Sequence, residues 1–343
     1  MAVVGCGRWG VNHLRVFASM PHTDVVALVD CSPDRLASLC KAYPQADALT
    51  SVEELALRAD VDAVVVATPA RTHAEVIEVL LQHGKHVLCE KPLTTTSADA
   101  ERLVELAARE ELVLMTGHTF IYNSALNAVR ELVREDDSSI YYLYARRTNL
   151  GPIRDDVNAL WDLASHDVAV FTHLLDALPD WVSATGLSVL GTERADVGFV
   201  ALGYPGGRMA HIHVSWADPS KVRELVVVGS KRRIVFNDMD ALEPVRIFSK
   251  GVAVRPEAPA FGELPFLIRD GDIVSPQIQM VEPLRAQNLH FAQCVMDGLT
   301  PATDGVFGLN VVTVMEAIDL SIASSGTPIP LDWTQLRSPS VAS

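Results

Sequence analysis

Read for hydrophobic and polar positions, the first third of the chain alternates short apolar runs with amphipathic stretches. Ala2–Val4 is a strand stub running into a glycine-rich hexad. Strands are then predicted at 24–30, 61–67, 86–89 and 112–116, and helices at 11–19, 33–42, 52–58, 73–83 and 97–110. Strands alternating with helices argue a parallel sheet wound on both faces. The near-continuous apolar character of 61–67 fits a strand buried on both sides. Near Gly117 the rhythm changes. A helix at 125–134 and a strand at 141–147 precede a helical period at 159–178, where Ala164, Val168, Phe171, Leu175 and Leu178 share one stripe. From Trp181 to Asp240 strand follows strand, which predicts a mostly antiparallel sheet. Residues 255–278 read as a long loop, and helices at 283–298 and 308–325 follow.

A chain of 343 residues is expected to form two domains. The longest apolar runs, such as Ala63–Ala67, are of strand length and too short to span a bilayer. No basic-then-apolar leader precedes Val4, so no secretory signal is expected. The five cysteines are scattered without paired spacing, which argues against a disulfide framework or a zinc site and favours the cytoplasm. A net charge of −15 makes nucleic acid an improbable partner. It leans slightly toward a neutral or cationic substrate.

The hexad Gly5-Cys6-Gly7-Arg8-Trp9-Gly10 matches G-x-G-x-x-G, follows a strand, opens a helix, and has Asp30 at the end of the next strand. That context lifts an otherwise weak motif to a dinucleotide-binding fingerprint. Gly5 permits the tight turn, Gly7 lets backbone approach a pyrophosphate, and Gly10 allows close helix–strand packing. Arg8 and Trp9 sit at the helix start, whose N–H groups face the phosphates. A carboxylate at Asp30 suits the ribose hydroxyls of NAD and repels the 2′-phosphate of NADP, although Arg35 stands close by. Thr68, Pro69 and His73 follow the third long strand and are candidates for the nicotinamide half, against an ordinary strand-to-helix turn.

Glu90-Lys91-Pro92 ends another strand, so Lys91 is expected at the same crevice. Pro92 disfavours helical backbone at Lys91 and could hold a cis bond. The lysine ammonium could stabilise an alkoxide as hydride departs. Asp162 and His166, four apart, lie on one face of the predicted helix. Histidine suits removal of a hydroxyl proton near neutral pH. His173 continues that face and reads as structural, paired with Asp176.

Taken in order, GCGRWG, VATPARTH, CEKPL, WDLASHD and EPLRAQNLHFAQCVMDGLTPATDG resemble the glucose-fructose oxidoreductase/inositol dehydrogenase/MocA family over essentially the whole chain. The resemblance implies an α/β fold: a Rossmann domain at 1–117, then an α/β domain at 118–343 with a large, mostly antiparallel open sheet that supports homo-oligomers. It implies NAD as cofactor, Glu90 and Lys91 in the E-K-P motif, and Asp162 and His166 as the D-x-x-x-H pair. His166 is then the general base, Lys91 the polarising group and Asp162 the orienting carboxylate, with exchange of roles between Lys91 and His166 open.

GHTFIYNSAL and RRTNLGPIRDDVNALWDLASHD are similar to the branch of nucleotide-sugar 3-dehydrogenases and to dehydrogenases of aminoglycoside pathways. That likeness makes Tyr122, Arg147, Asn149, Arg154 and Asn158 candidate substrate contacts. An arginine pair could clamp a diphosphate; equally, Asp155 and Asp156 could bind amino groups. His118 stands where many family members carry asparagine or arginine, and is a candidate to line the cofactor mouth. The implied activity is oxidation of a secondary ring hydroxyl, the 3-hydroxyl of a hexosyl unit in a nucleotide sugar or aminoglycoside. A catalytically silent NAD- and sugar-sensing regulator, or a reductase of an imine, is the alternative.

Overall fold

The computed structural model describes residues 1–135, 140–151, 153–154, 157–191, 193–254 and 266–334. The chain divides into two compact units. One comprises Met1–Tyr122, Val281–Glu316 and the described end of the tail from Trp333. The other comprises Asn123–Met280 and Ala317–Asp332.

The first unit is built on six parallel strands: β1 (Ala2–Val4), β2 (Ala27–Val29), β3 (Asp47–Leu49), β4 (Ala63–Val66), β5 (His86–Glu90) and β6 (Leu114–Gly117). Their order is β3-β2-β1-β4-β5-β6, so the direction of winding reverses between β1 and β4. In such sheets ligands bind beyond the carboxyl ends of the strands at that switch point. β1, β2 and β4 are wholly buried, as near-continuous Val/Leu/Ala strands covered on both faces must be. The helices are α1 (Arg8–Ala18), α2 (Pro33–Ala42), α3 (Val52–Ala56), α4 (His73–Gln82) and α5 (Ser97–Arg109). Their starts are set by side-chain caps: Ser32 accepts from the Arg35 amide, Ser51 from Glu54 and Thr96 from Asp99. The hydrophobic positions gave no sign of β3, because this strand carries Asp47 and lies exposed at the sheet edge.

The expectation that everything after residue 118 forms one domain is corrected. The break falls at Tyr122/Asn123, and the chain returns to the first unit at Val281. Helix α6 (Ser124–Arg134), capped by Asn123, and helix α7 (Ser165–Leu175) belong to the second unit. Helix α8 (Pro283–Asp297) belongs to the first, packing Leu284, Phe291 and Ala292 into the core around Val3, Leu14 and Phe17. Phe291 meets Phe17 edge-on, with centroids 6.5 Å apart. Helix α9 (Gly305–Ala323) is long and apolar enough by length and composition to cross a membrane, but half of it is buried within the protein.

In the second unit the strands are β7 (Ile140–Thr148), β8 (Trp181–Leu187), β9 (Val197–Tyr204), β10 (Arg208–Ser215), β11 (Val222–Gly229), β12 (Arg233–Asn237) and β13 (Val245–Phe248). They are followed by β14 (Gly251–Val254), β15 (Phe266–Arg269), β16 (Ile273–Val274) and β17 (Ile329–Pro330). Nine form one sheet in the order β16-β13-β12-β11-β7-β10-β9-β8-β17, all antiparallel pairs except β7 with β10. β14 pairs with β15 alone. Residues 266–269 and 273–274 are therefore strands inside the stretch read as a loop; 255–265 lie outside the described residues. One face of the nine-stranded sheet carries Tyr142, Phe199, Met209, His211 and His213 toward solvent, with Phe199 stacked on His213 at 4.6 Å.

Candidate active site

Gly5 has a φ of +86°, and a Cβ there would lie 2.7 Å from the Ala67 backbone. A Cβ on Gly10 would lie 1.9 Å from the Gly5 carbonyl oxygen, so α1 can start against β1 only without one. A Cβ on Gly7 would meet nothing within 4 Å. Gly7 is also the N-cap of α1 and offers no side-chain acceptor to that helix. A turn whose middle glycine faces open space at an uncapped helix start is shaped for an anion. The cradle fits a dinucleotide pyrophosphate. Arg8 and the half-exposed Trp9 flank it.

Asp30 follows β2 with its carboxylate buried. Its Oδ2 accepts from the Cys6 amide at 2.8 Å and its Oδ1 from the Ser32 amide at 2.9 Å. Burial alone would raise its pKa, but the Ser32 and Cys6 amides and the Arg35 guanidinium hold it below the usual carboxylate value. Arg35 Nη1 lies 3.1 Å from Oδ2.

At the ends of β4 and β5, His73 corrects the expectation of a cofactor contact. Its ring is buried, with Nε2 2.9 Å from the Thr68 carbonyl and Nδ1 2.8 Å from the Pro92 carbonyl. Burial lowers its pKa, so the neutral ring donates to one of these at a time. It fastens the Thr68-Pro69 turn to the Lys91-Pro92 turn. The Lys91–Pro92 peptide is cis. The buried Glu90 carboxylate, one residue before Lys91, meets His13 Nε2 at 2.9 Å, and His13 Nδ1 meets Asn288 Oδ1 at 3.1 Å. His13 thus joins α1, the end of β5 and α8. Sequence reading missed it, although one signal was present: His13 interrupts the buried stripe Gly10, Leu14, Phe17 of α1. Asn288, 275 residues away, gave none.

His118 turns inward instead of lining a mouth. It is buried, stands edge-on to Phe307 with centroids 5.5 Å apart, and neither ring nitrogen has a partner among the described residues. Burial, and then the charge of Lys91, push its pKa down to about 3, so the ring is neutral. Tyr122 likewise faces the fold. Its hydroxyl pairs with Thr303 at 3.0 Å, and burial raises its pKa.

In the second unit, Asp162 lies on a π-helical turn, Leu160–Ala164, and His166 on the first turn of α7. A turn of that kind replaces the continuous α-helix expected at 159–178, and such turns recur at functional sites. Asp162 accepts from Arg154 at 3.1 Å and from the Trp216 indole at 3.3 Å. Arg147 is corrected as a substrate contact. It is buried, with Nη2 2.7 Å and Nε 3.1 Å from the two Asp167 oxygens. Asn158 caps the Trp161 amide at 2.9 Å and donates to Asp319 at 3.3 Å, so it too is held by the fold. Asn149 donates to the Gly151 carbonyl inside its own loop. His173 meets Asn127 at 3.3 Å, while Asp176 pairs with Arg130 and Arg134, which corrects the expected His173–Asp176 pair. Asp155 and Asp156 lie outside the described residues.

A glycine cradle at an uncapped helix start, a buried carboxylate after β2 and a lysine after β5 are the arrangement of a dinucleotide-binding fold. Residues 1–118 match the NAD-binding Rossmann fold of the Gfo/Idh/MocA oxidoreductase family, and residues 144–235 match that family's C-terminal domain. The chain belongs to this family, and its cofactor is NAD. It is similar to the UDP-N-acetylglucosamine 3-dehydrogenase of Acidithiobacillus ferrooxidans, 29% identical over 75% of this chain and 79% of that one. It is 28% identical to the dTDP-3,4-didehydro-2,6-dideoxy-alpha-D-glucose 3-reductase of Saccharopolyspora spinosa, over 76% of this chain and 82% of that one. Among solved structures, GenD2 from gentamicin A biosynthesis, in complex with NAD, shares the fold. Its TM-score is 0.80 at 24% identity, over 96% of this chain and 95% of that one.

Proposed function

We propose that this chain oxidises the 3-hydroxyl of a hexosyl unit, carried on a nucleotide diphosphate or an aminoglycoside, to a ketone with NAD. The observation that carries the reading is the first unit's crevice, where the glycine cradle and Lys91 lie at the carboxyl ends of one parallel sheet. The 3-position comes from the relatives, which include a UDP-N-acetylglucosamine 3-dehydrogenase and a 3-reductase. NAD, when bound, would supply the acceptor for the hydride that leaves the carbinol carbon. The Lys91 ammonium holds the hydroxyl oxygen and stabilises the negative charge that grows on it. His166 takes the hydroxyl proton as general base, and Asp162 orients it; an exchange of roles between Lys91 and His166 is distinguished by the pH profiles of the two variants. With Arg147 and Asn158 committed to internal partners, Arg154, beside Asp162, is the remaining candidate for substrate polar groups. We further propose a homo-oligomer that covers the face bearing Tyr142, Phe199 and Met209, an exposed apolar patch of the kind that marks an interface.

The test mixes purified protein and NAD with a panel of nucleotide hexoses and amino-sugar glycosides, following NADH absorbance and the loss of two hydrogens by mass. Lys91→Ala should abolish NADH formation while NAD still binds. Turnover unaffected by that change removes Lys91 from the chemistry. NAD binding with no turnover across the panel favours a sensor.

A further inference from the structure

A lysine carries its ammonium on a flexible four-carbon stem, so holding it against one substrate oxygen demands a fixed backbone beneath it. Two buried histidines grip the chain on either side of Lys91. After it, the Pro92 carbonyl lies 2.8 Å from Nδ1 of His73, at the start of α4. Before it, Glu90 ends β5 with its carboxylate 2.9 Å from His13 Nε2, the side chains of His13 and Glu90 being 1% and 10% exposed. Gly117, at the end of β6, lies against the same carboxyl group: a Cβ there would come to 3.6 Å from Glu90 Cδ.

The far side of the His13 ring is fixed as well. Its Nδ1 meets Asn288 Oδ1 at 3.1 Å, and Asn288 Nδ2 is buried with no hydrogen-bond partner among the described residues. An amide can present either end to the ring. With Oδ1 presented, both ring nitrogens carry protons; with Nδ2 presented, the ring is neutral and its one proton sits on Nε2. Toward an ionised Glu90, Nε2 therefore donates in both arrangements. His13 stands three residues beyond Gly10, where α1 is seated so closely on the first turn that a Cβ would lie 1.9 Å from the Gly5 carbonyl oxygen. Asn288 stands on α8, whose Leu284 and Phe291 fill the core. The residue before Lys91 is thus tied to the helix whose start forms the glycine cradle, and that helix is backed by a second one. A reacting group supported in this way keeps its geometry because its neighbours are themselves locked.

We infer, on the reading of Lys91 as the polarising group, that His13 is a positioning residue of the reaction: through Glu90 it sets Lys91 on the same frame that seats the pyrophosphate. Two substitutions separate the contacts of the ring. Glutamine places an amide nitrogen where Nε2 stands and still donates to Glu90. Asparagine places one where Nδ1 stands, keeps Asn288 and gives Glu90 up. Each variant retains one of the two hydrogen bonds, and thermal melts check that both fold. In the NADH assay His13→Asn should lose about 10- to 100-fold in kcat, the cost of a misplaced reacting group, while His13→Gln stays within about threefold of the native protein. KM for the sugar and calorimetric NAD affinity should hold within about threefold in both variants. A histidine that only stabilises the core predicts instead that the two variants lose melting temperature and turn over alike. That result overturns the inference, as does a loss in His13→Asn confined to KM or NAD affinity. Lys91 is also read without any sugar. With NAD bound, brief acetylation by acetic anhydride, followed by peptide mass spectrometry, should label Lys91 several-fold faster relative to the half-exposed Lys250 in His13→Asn, and at the native ratio in His13→Gln. Equal ratios in all three proteins overturn the inference whatever the sugar panel shows, and a panel with no turnover leaves the labelling decisive.

Discussion

One methyl group separates three outcomes within the first turn. At Gly10 an added Cβ would collide with the Gly5 carbonyl oxygen at 1.9 Å, and that oxygen belongs to backbone that cannot swing aside. Gly10→Ala should therefore unfold or grossly destabilise the first unit, by several kcal/mol as a strained core position does. At Gly7 the same methyl meets nothing within 4 Å, and the residue's φ of −73° is open to alanine. Gly7→Ala should keep the melting temperature nearly unchanged, costing under about 1 kcal/mol as an N-cap glycine-to-alanine change. It should weaken NAD tenfold or more by filling the space a pyrophosphate needs. Parallel thermal melts and NAD titrations check this; equal NAD binding in Gly7→Ala would show that the cradle is not where the phosphates lie. Folded protein thus tells a glycine needed by the chain from a glycine needed by the ligand, which the motif alone cannot do.

Between elements, the Arg147–Asp167 pair ties β7 to α7 inside the second unit, with side chains 8% and 3% exposed. Removing one partner strands the other's charge in the interior, so Arg147→Met should cost about 3–5 kcal/mol in denaturant unfolding. Arg147→Met combined with Asp167→Leu should recover much of it, because a buried pair replaced by apolar groups is often near neutral. Were Arg147 a substrate contact instead, the single variant would raise KM and leave stability alone. This residue shows where sequence reading stops. Local spacing marked the glycine turn, the strand ends that carry Asp30 and Lys91, and the helices that begin at Pro33 and Ser97, because each is specified by its immediate neighbours. The roles of Arg147, Asn158, His73 and His13 depend on partners brought together by tertiary packing, and charge or polarity at one position does not reveal a partner 20 or 77 residues away. The edge strand β3 lacked the apolar run that marked the rest, and the short apolar runs of β15 and β16 are set among proline, glycine and charge that read as loop. The return of α8 to the first unit was hidden for the same reason: an amphipathic helix announces a buried face but not the core that buries it.

For the molecule as a whole, buried neutral histidines govern how it meets acid. His118 is lowered from the ordinary 6.5 to about 3 by burial and then by Lys91, and His173 to about 4 by burial and then by Arg130. Above pH 6.5 these rings are neutral whether the chain is folded or not, and they add no pH dependence. As pH falls below 6.5 the unfolded chain takes up protons that the folded chain refuses, so stability is lost progressively down to the folded values. Each such ring contributes a slope of about 1.4 kcal/mol per pH unit in that window. Asp30, held below its usual 3.8, acts lower: its stabilisation stays intact until pH falls below that value. The interval from pH 6.5 to 4.5 therefore belongs mainly to histidine. Unfolding free energies measured across it should fall steeply for the native protein, and His118→Leu should flatten the curve by about one proton's worth. His118 has no hydrogen-bond partner to lose among the described residues, and leucine keeps an apolar contact with Phe307. If the two curves run parallel from pH 6.5 to 4.5, His118 is protonated in the folded protein, and the ring beside Lys91 carries a charge that would weaken the ammonium's hold on a developing alkoxide.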